Sequence, residues 1–128
     1  MTNVILIGLG SALGGMARYG VQVLAAARWG QAFPFGTIAA NVSGSFLIGL
    51  VFAVTEPLGR WPADVAVRHF FMTGLLGGYT TFSSFSLQTL NLAREGQMGW
   101  AILNAVSSVL LCLLAVWLGH AVGQWINK

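Results

Sequence analysis

Gly74-Leu75-Leu76-Gly77-Gly78-Tyr79-Thr80-Thr81-Phe82-Ser83-Ser84-Phe85-Ser86 lies in the middle of an otherwise apolar segment over 67–93, about the length that spans a bilayer. Three glycines, two adjacent threonines and three serines do not suit a plain lipid-facing helix. Glycine costs about 1 kcal/mol against alanine in a helix interior, and hydroxyl side chains compete for nearby backbone groups. The stretch predicts a helix over 69–76, a non-helical break at Gly77-Gly78-Tyr79-Thr80, and a second helix from Thr81 onward. Gly77 is expected to supply backbone with φ > 0, which glycine reaches without strain. Open backbone at membrane depth is tolerated only where protein buries it or water reaches it. The break therefore reads either as an ion or substrate site or as a tightly packed helix crossing.

The rest of the chain sets the context. Of its 128 residues 56% are hydrophobic and only 7% charged, against about 25% charged in a soluble domain. This is the composition of an integral membrane protein, one domain at most. Six basic residues are scattered between apolar segments without a basic run, so no nucleic-acid footprint is present. The single cysteine, Cys112, excludes an intrachain disulfide. The N-terminus has no basic n-region, and its apolar run is too long for a signal peptide. Four spans are expected, over 4–27, 37–55, 67–93 and 100–125, making one four-helix transmembrane domain over 1–128. Trp29, Trp61, Trp100 and Trp125 fall near their ends, where amphipathic rings favour the interface.

Polar residues inside the spans recur at helical spacing. The first span carries Gly8, Gly10, Gly14 and Gly15 and then Arg18: the glycines form a small-residue seam, and the arginine either snorkels or draws anions into a vestibule. Thr37, Asn41 and Ser45 make one stripe on the second span. Beyond the break Thr81, Ser84, Gln88 and Asn91 share a face, with Phe82, Phe85 and Thr89 on the adjacent one and Leu87 and Leu90 turned away. Asn104, Ser108 and Cys112 repeat the pattern in the fourth span. Each stripe reads as interhelical glue or as a wetted path. The positive edge of an aromatic ring lets Phe82 and Phe85 face an anion without a charge that would trap it.

The carboxylates argue by position. Glu56, Asp64 and Glu95 are all the chain has, and each lies in a connection, so no acidic group is available inside the membrane to carry protons or cations. His69 and His120 lie near span ends, no side-chain metal cluster is evident, and no nucleophile has a base at a workable spacing; no enzyme is expected. Arg60, Arg68 and Lys128 on one side nearly balance Arg28 and Arg94 on the other. Loop charge bias sets topology, so such a chain suits insertion in both orientations and an antiparallel pair of subunits.

Gly36-Thr37 with Asn41 and Gly44, then Thr73-Gly74 with Gly77-Gly78, Thr80-Thr81-Phe82-Ser83 and Phe85-Ser86, resembles the signature of the Fluc/CrcB fluoride channels. Gly14-x-x-x-Arg18-Tyr19 and the four-span length agree, and the likeness covers essentially the whole chain. It implies an antiparallel, dual-topology homodimer in the bacterial inner membrane with two fluoride pores. It also implies a structural sodium ion at the dimer centre, held by backbone carbonyls of Gly77 and Thr80. The pore residues it points to are Asn41, Phe82, Phe85 and Ser108; Thr81 and Ser84 join them as hydroxyls beside the rings, and Arg18 as an anion-attracting group at the vestibule. Where many relatives carry hydroxyls this chain has Cys112 and Val116, Gln88 stands where glutamate is common, and Asn104 replaces an aromatic found in some. The implied role is passive efflux: hydrogen fluoride enters neutral, dissociates in the cytoplasm, and the anion needs an exit.

Fluoride is small and tightly hydrated, so a pore must replace water with donors that bind weakly enough to release. Two other classes stay open at this point. A small dual-topology multidrug exporter also has four short spans, but it would want a carboxylate in the first, where none occurs. A non-transporting assembly subunit would use the polar stripes purely as glue.

Overall fold

The computed structural model describes residues 2–128, and among them every regular element is helical. Four helical segments follow one another across short connections: α1 (Thr2–Trp29), α2 (Phe35–Val54), a composite third segment, and α6 (Met98–Ile126). The third consists of α3 (Val65–Arg68), a π-helical stretch (His69–Leu76), α4 (Gly77–Tyr79) and α5 (Phe82–Arg94). By length and composition α1, α2 and α6 are each able to cross a membrane; the third segment is divided into pieces too short to do so singly.

The segment ends follow from local chemistry. α1 stops at Gly30, whose φ of 78° lets its N–H reach the Ala26 carbonyl at 2.9 Å. α5 stops at Gly96, with φ of 77°; its N–H bonds Ala93 and the next N–H, of Gln97, bonds Leu92, the paired closure that a left-handed residue after a helix permits. Asp64 caps α3 by accepting the Val67 N–H at 2.8 Å.

Because successive segments alternate in direction, α2 runs the same way as α6, and α1 the same way as the third segment. These like-directed pairs pack most extensively. Between α2 and α6 a Cβ on Gly49 would strike the Val116 carbonyl, one on Gly119 the Phe46 carbonyl, and one on Gly123 the Ala53 methyl at 2.6 Å. Between α1 and the third segment a Cβ on Gly10 would lie 2.6 Å from the Phe70 carbonyl, one on Gly14 would strike that of Leu75, and one on Gly78 would lie 2.5 Å from that of Ser11. The core is accordingly rich in small residues (Ala40, Ala53, Ala101, Ala115), with Val54, Leu76, Phe85 and Leu92 as its larger members, while Leu114, Trp117 and Leu118 face outward. That inversion suits a chain whose surroundings are lipid.

The helix expected over 69–76 is present with those bounds and is π-wound. Two expectations for the central stretch need correction. Gly77 is right-handed helical, with φ −64° and ψ −36°, so it does not serve a positive φ, and Gly78 is helical as well. Of the expected break only Thr80 (φ −85°, ψ 158°) leaves the helix, and the interruption runs on to Thr81 (φ −152°, ψ 116°), so the second helix begins at Phe82 instead of Thr81. Gly74 and Gly78 are there for close approach to α1, where a Cβ would meet Ile7 and Ser11, whereas a Cβ on Gly77 would meet only the Met72 carbonyl of its own segment. Two β-branched threonines favour extended backbone, and Asn41 offers Thr81 another hydrogen-bonding partner.

Candidate functional site

A cavity of about 360 Å³ lies where α2, the end of the π-helical stretch, the Thr80–Thr81 interruption, α5 and the middle of α6 meet. Its wall brings together Asn41, Gly77, Thr80, Thr81, Phe82, Phe85 and Ser108. The remainder is mainly apolar, from Ile48, Leu76, Val109 and Leu113, and no lysine, arginine or carboxylate is part of it. Two of the expected residues lie elsewhere. Ser84 belongs to the start of α5, where its N–H and hydroxyl engage Thr81 Oγ1 at 3.2 and 3.1 Å. Arg18, on α1, donates from its guanidinium to the Thr80 carbonyl at 3.5 Å.

Asn41 does more than a pore lining would require. Its Oδ1 accepts the Thr81 N–H at 2.7 Å and its Nδ2 donates to the Thr81 carbonyl at 3.0 Å. The amide thus pairs with one extended residue as a neighbouring strand would, satisfying backbone groups that a helix would have satisfied internally. One Nδ2 proton is left over, because an amide nitrogen carries two, and Asn41 lines the cavity.

The same pairing frees a carbonyl one turn earlier. In a continuous helix the Thr81 N–H would bond Gly77; here it is turned to Asn41. The Thr80 N–H and hydroxyl both go to Leu76, at 3.0 Å each. Among the described residues no backbone N–H outside the helices bonds the carbonyl of Gly77 or Thr80, and Gly77 is exposed.

Phe82 and Phe85 are neighbours, with centroids 5.2 Å apart and ring planes at 54°, but unequal ones. Phe85 is 9% exposed and Phe82 74%, so one ring belongs to the protomer's interior and the other stands on its surface.

Some of the site was not signalled by the sequence. Ile48, Leu76, Val109 and Leu113 carry no pattern that separates them from lipid-facing residues. Thr37, which the sequence offered in a stripe and in the Gly36-Thr37 motif, lies outside the cavity wall, buried, and accepts from Gln22 Nε2 at 3.2 Å. Tyr79 and Ser43 share a hydroxyl–hydroxyl bond at 2.9 Å, for which Tyr79 in the central stretch was the available clue.

Comparison with known proteins adds an independent line. Residues 5–120 match the family described as CrcB-like protein, Camphor Resistance (CrcB). The chain is 51% identical over 128 residues to the fluoride-specific ion channel FluC of Opitutus terrae, covering 100% of this chain and 97% of that protein. It is 55% identical over 126 residues to the protein of the same name from Methylocella silvestris, covering 98% and 96%. With the FluC protein of Coxiella burnetii it shares 45% over 123 residues, 95% of this chain and 98% of that one.

Proposed function

This chain belongs to the CrcB family, and from that premise we propose how its cavity works. The protein is a fluoride-selective ion channel, not an enzyme: a multi-pass membrane protein through which cytoplasmic fluoride leaves passively, down its electrochemical gradient. The observation that carries the mechanism is the composition of the cavity wall, which offers hydrogen-bond donors and aromatic rings but no fixed charge.

In this reading the ion path runs along Asn41, Phe82, Phe85 and Ser108, with Thr81 beside the rings. Asn41 meets the ion with its remaining N–H, and the phenylalanines present positive ring edges. Each contact replaces part of the hydration shell without the depth of well that a lysine would create, so the ion binds and leaves. Ser84 supports the path through Thr81. Arg18, with no carboxylate inside the membrane to neutralise it, raises the local concentration of anions at the vestibule.

The interruption at Thr80–Thr81 lies at mid-membrane in this account, and a second, antiparallel copy covers it. A buried carbonyl without a partner is costly, and the oxygens of exposed Gly77 and half-buried Thr80, the latter held only by Arg18 at 3.5 Å, call for one. Hard cations take oxygen ligands of this kind, so the donor set fits the structural sodium ion: two carbonyls from each copy would hold it, and its charge would tie the two interrupted segments together. A carbonyl has two lone pairs, which lets Thr80 serve Arg18 as well. Near-balanced loop charges support insertion in both orientations, in the bacterial inner membrane.

Fluoride efflux from loaded liposomes, read with a fluoride electrode, is the test. Efflux should require a path for compensating charge, such as a potassium ionophore, and should need no pH gradient. Electroneutral flux, or flux driven only by a proton gradient, would contradict a channel.

A further inference from the structure

Behind Ser108, outside the cavity wall, stands Asn104, the largest fully buried side chain among the described residues, 1% exposed. A buried amide needs partners, and this one has two. Its Nδ2 donates to Thr89 Oγ1 at 2.8 Å, and its Oδ1 accepts from Ser108 Oγ at 3.4 Å. Thr89 in turn donates to the Phe85 carbonyl at 2.8 Å.

The polarity of this chain is fixed by counting protons. A hydroxyl has one proton to give. Thr89 gives its own to Phe85, so it can only accept from Asn104, which turns the amide's N–H toward Thr89 and its oxygen toward Ser108. Ser108 then gives its single proton to Asn104. In this arrangement Ser108 shows the cavity lone pairs, the wrong sign for an anion. To serve fluoride it must rotate its proton away from Asn104, leaving Oδ1 buried without a donor until the ion departs.

We propose that Asn104 is a positioning residue for conduction: it competes with fluoride for the one proton of Ser108 and thereby shortens the ion's stay. The long 3.4 Å bond is suited to that task, since a shorter one would hold the proton permanently and its absence would leave the ion too well bound. The inference rests on the reading of Ser108 as a pore residue and adds a rule for how that residue switches.

The test is the fluoride-concentration dependence of flux in reconstituted protein. Asn104→Leu removes the competing oxygen at similar volume; the half-saturating concentration should fall between about threefold and tenfold, the factor one hydrogen bond is worth, and flux at saturation should fall with it. Thr89→Val is the milder variant should the first fail to fold. It unfixes the amide, which can then turn its N–H to Ser108, and it should shift the same parameter in the same direction by less. In a Ser108→Ala background neither change should move half-saturation further. An unchanged half-saturating concentration in both single variants overturns the proposal, as does a shift of equal size without Ser108, which would mark Asn104 as a strut between α5 and α6. A Ser108→Ala protein with wild-type dose response would instead remove Ser108 from the path, and the underlying pore reading would fail at that residue.

Discussion

The two like-directed helix pairs solve the same packing problem and leave different surfaces. Between α2 and α6, Gly49, Gly119 and Gly123 let two regular helices meet backbone to backbone. Between α1 and the third segment, Gly10, Gly14 and Gly78 do the same, but the partner is π-wound and then extended. The first pair joins two uninterrupted helices and gives the cavity side chains only. The second leaves the Gly77 and Thr80 carbonyls without backbone donors and directs Arg18 to one of them. Glycine content alone does not tell a strut from a site; what the following residues do with the backbone hydrogen bonds does.

That contrast can be broken most forcefully at the seam. Gly119→Val places a branched side chain against the Phe46 carbonyl, which cannot yield without moving α2, so a cost of at least about 3 kcal/mol is expected. Detergent extraction should give no monodisperse protein; a well-behaved, active Gly119→Val would mean that the two helices are free to separate. Next in size is Asn41→Leu, which deprives Thr81 of partners for both its N–H and its carbonyl, at about 1–3 kcal/mol for each group left unpaired. Melting temperature and fluoride flux should fall together, flux by more than about tenfold, and a variant that loses flux alone would make Asn41 a pore residue without a structural share.

The aromatic pair sharpens the comparison at smaller amplitude. Phe85→Leu should lower stability by about 1 kcal/mol, while Phe82→Leu, at a surface position, should leave the protomer's stability unchanged. Both should cut flux about tenfold while the assembly elutes at its normal size, and unaltered flux in both would return the rings to packing. The smallest effect on the protomer is expected at Gly77→Ala, where the new methyl meets only the Met72 carbonyl at 3.6 Å and helical backbone favours alanine by up to about 1 kcal/mol. Any loss must then arise between copies, and it should appear as a reduced, sodium-dependent dimer fraction in cross-linking. A Gly77→Ala protein that pairs normally with or without sodium would leave that face without the role proposed for it.

Much of this was legible from residue types. Composition, apolar run lengths and the positions of Glu56, Asp64 and Glu95 gave an all-helical membrane protein and its short connections. The stripes left helix glue and a wetted path both open, and the family resemblance was what grouped Asn41 and Ser108 in one pore. The interruption was anticipated at Thr80 but also over Gly77–Tyr79, which are helical, because glycine was read for backbone freedom where Gly77 is helical and Gly78 serves proximity to Ser11. Nothing in the sequence announces a π-helical stretch, whose hydrogen bonds skip one residue further than those of an α-helix and produce no apolar period that stands out in a uniformly apolar segment. The pairing of Asn41 with Thr81 joins residues forty apart, and no local rule reaches that far.

The wide turns over His69–Leu76 also bear on how this chain tolerates change in length. A π-helical turn holds an extra residue without forming a loop, so a single deletion within it can be absorbed by relaxing to the α form, with Gly78 and everything after it kept in register. The same deletion in the middle of α6 would swing all later residues by about 100°, one step of a 3.6-residue turn, and pull Gly119 off its facing carbonyl. Deletion scanning would therefore find its permissive window immediately before the site, in the segment that looks least expendable.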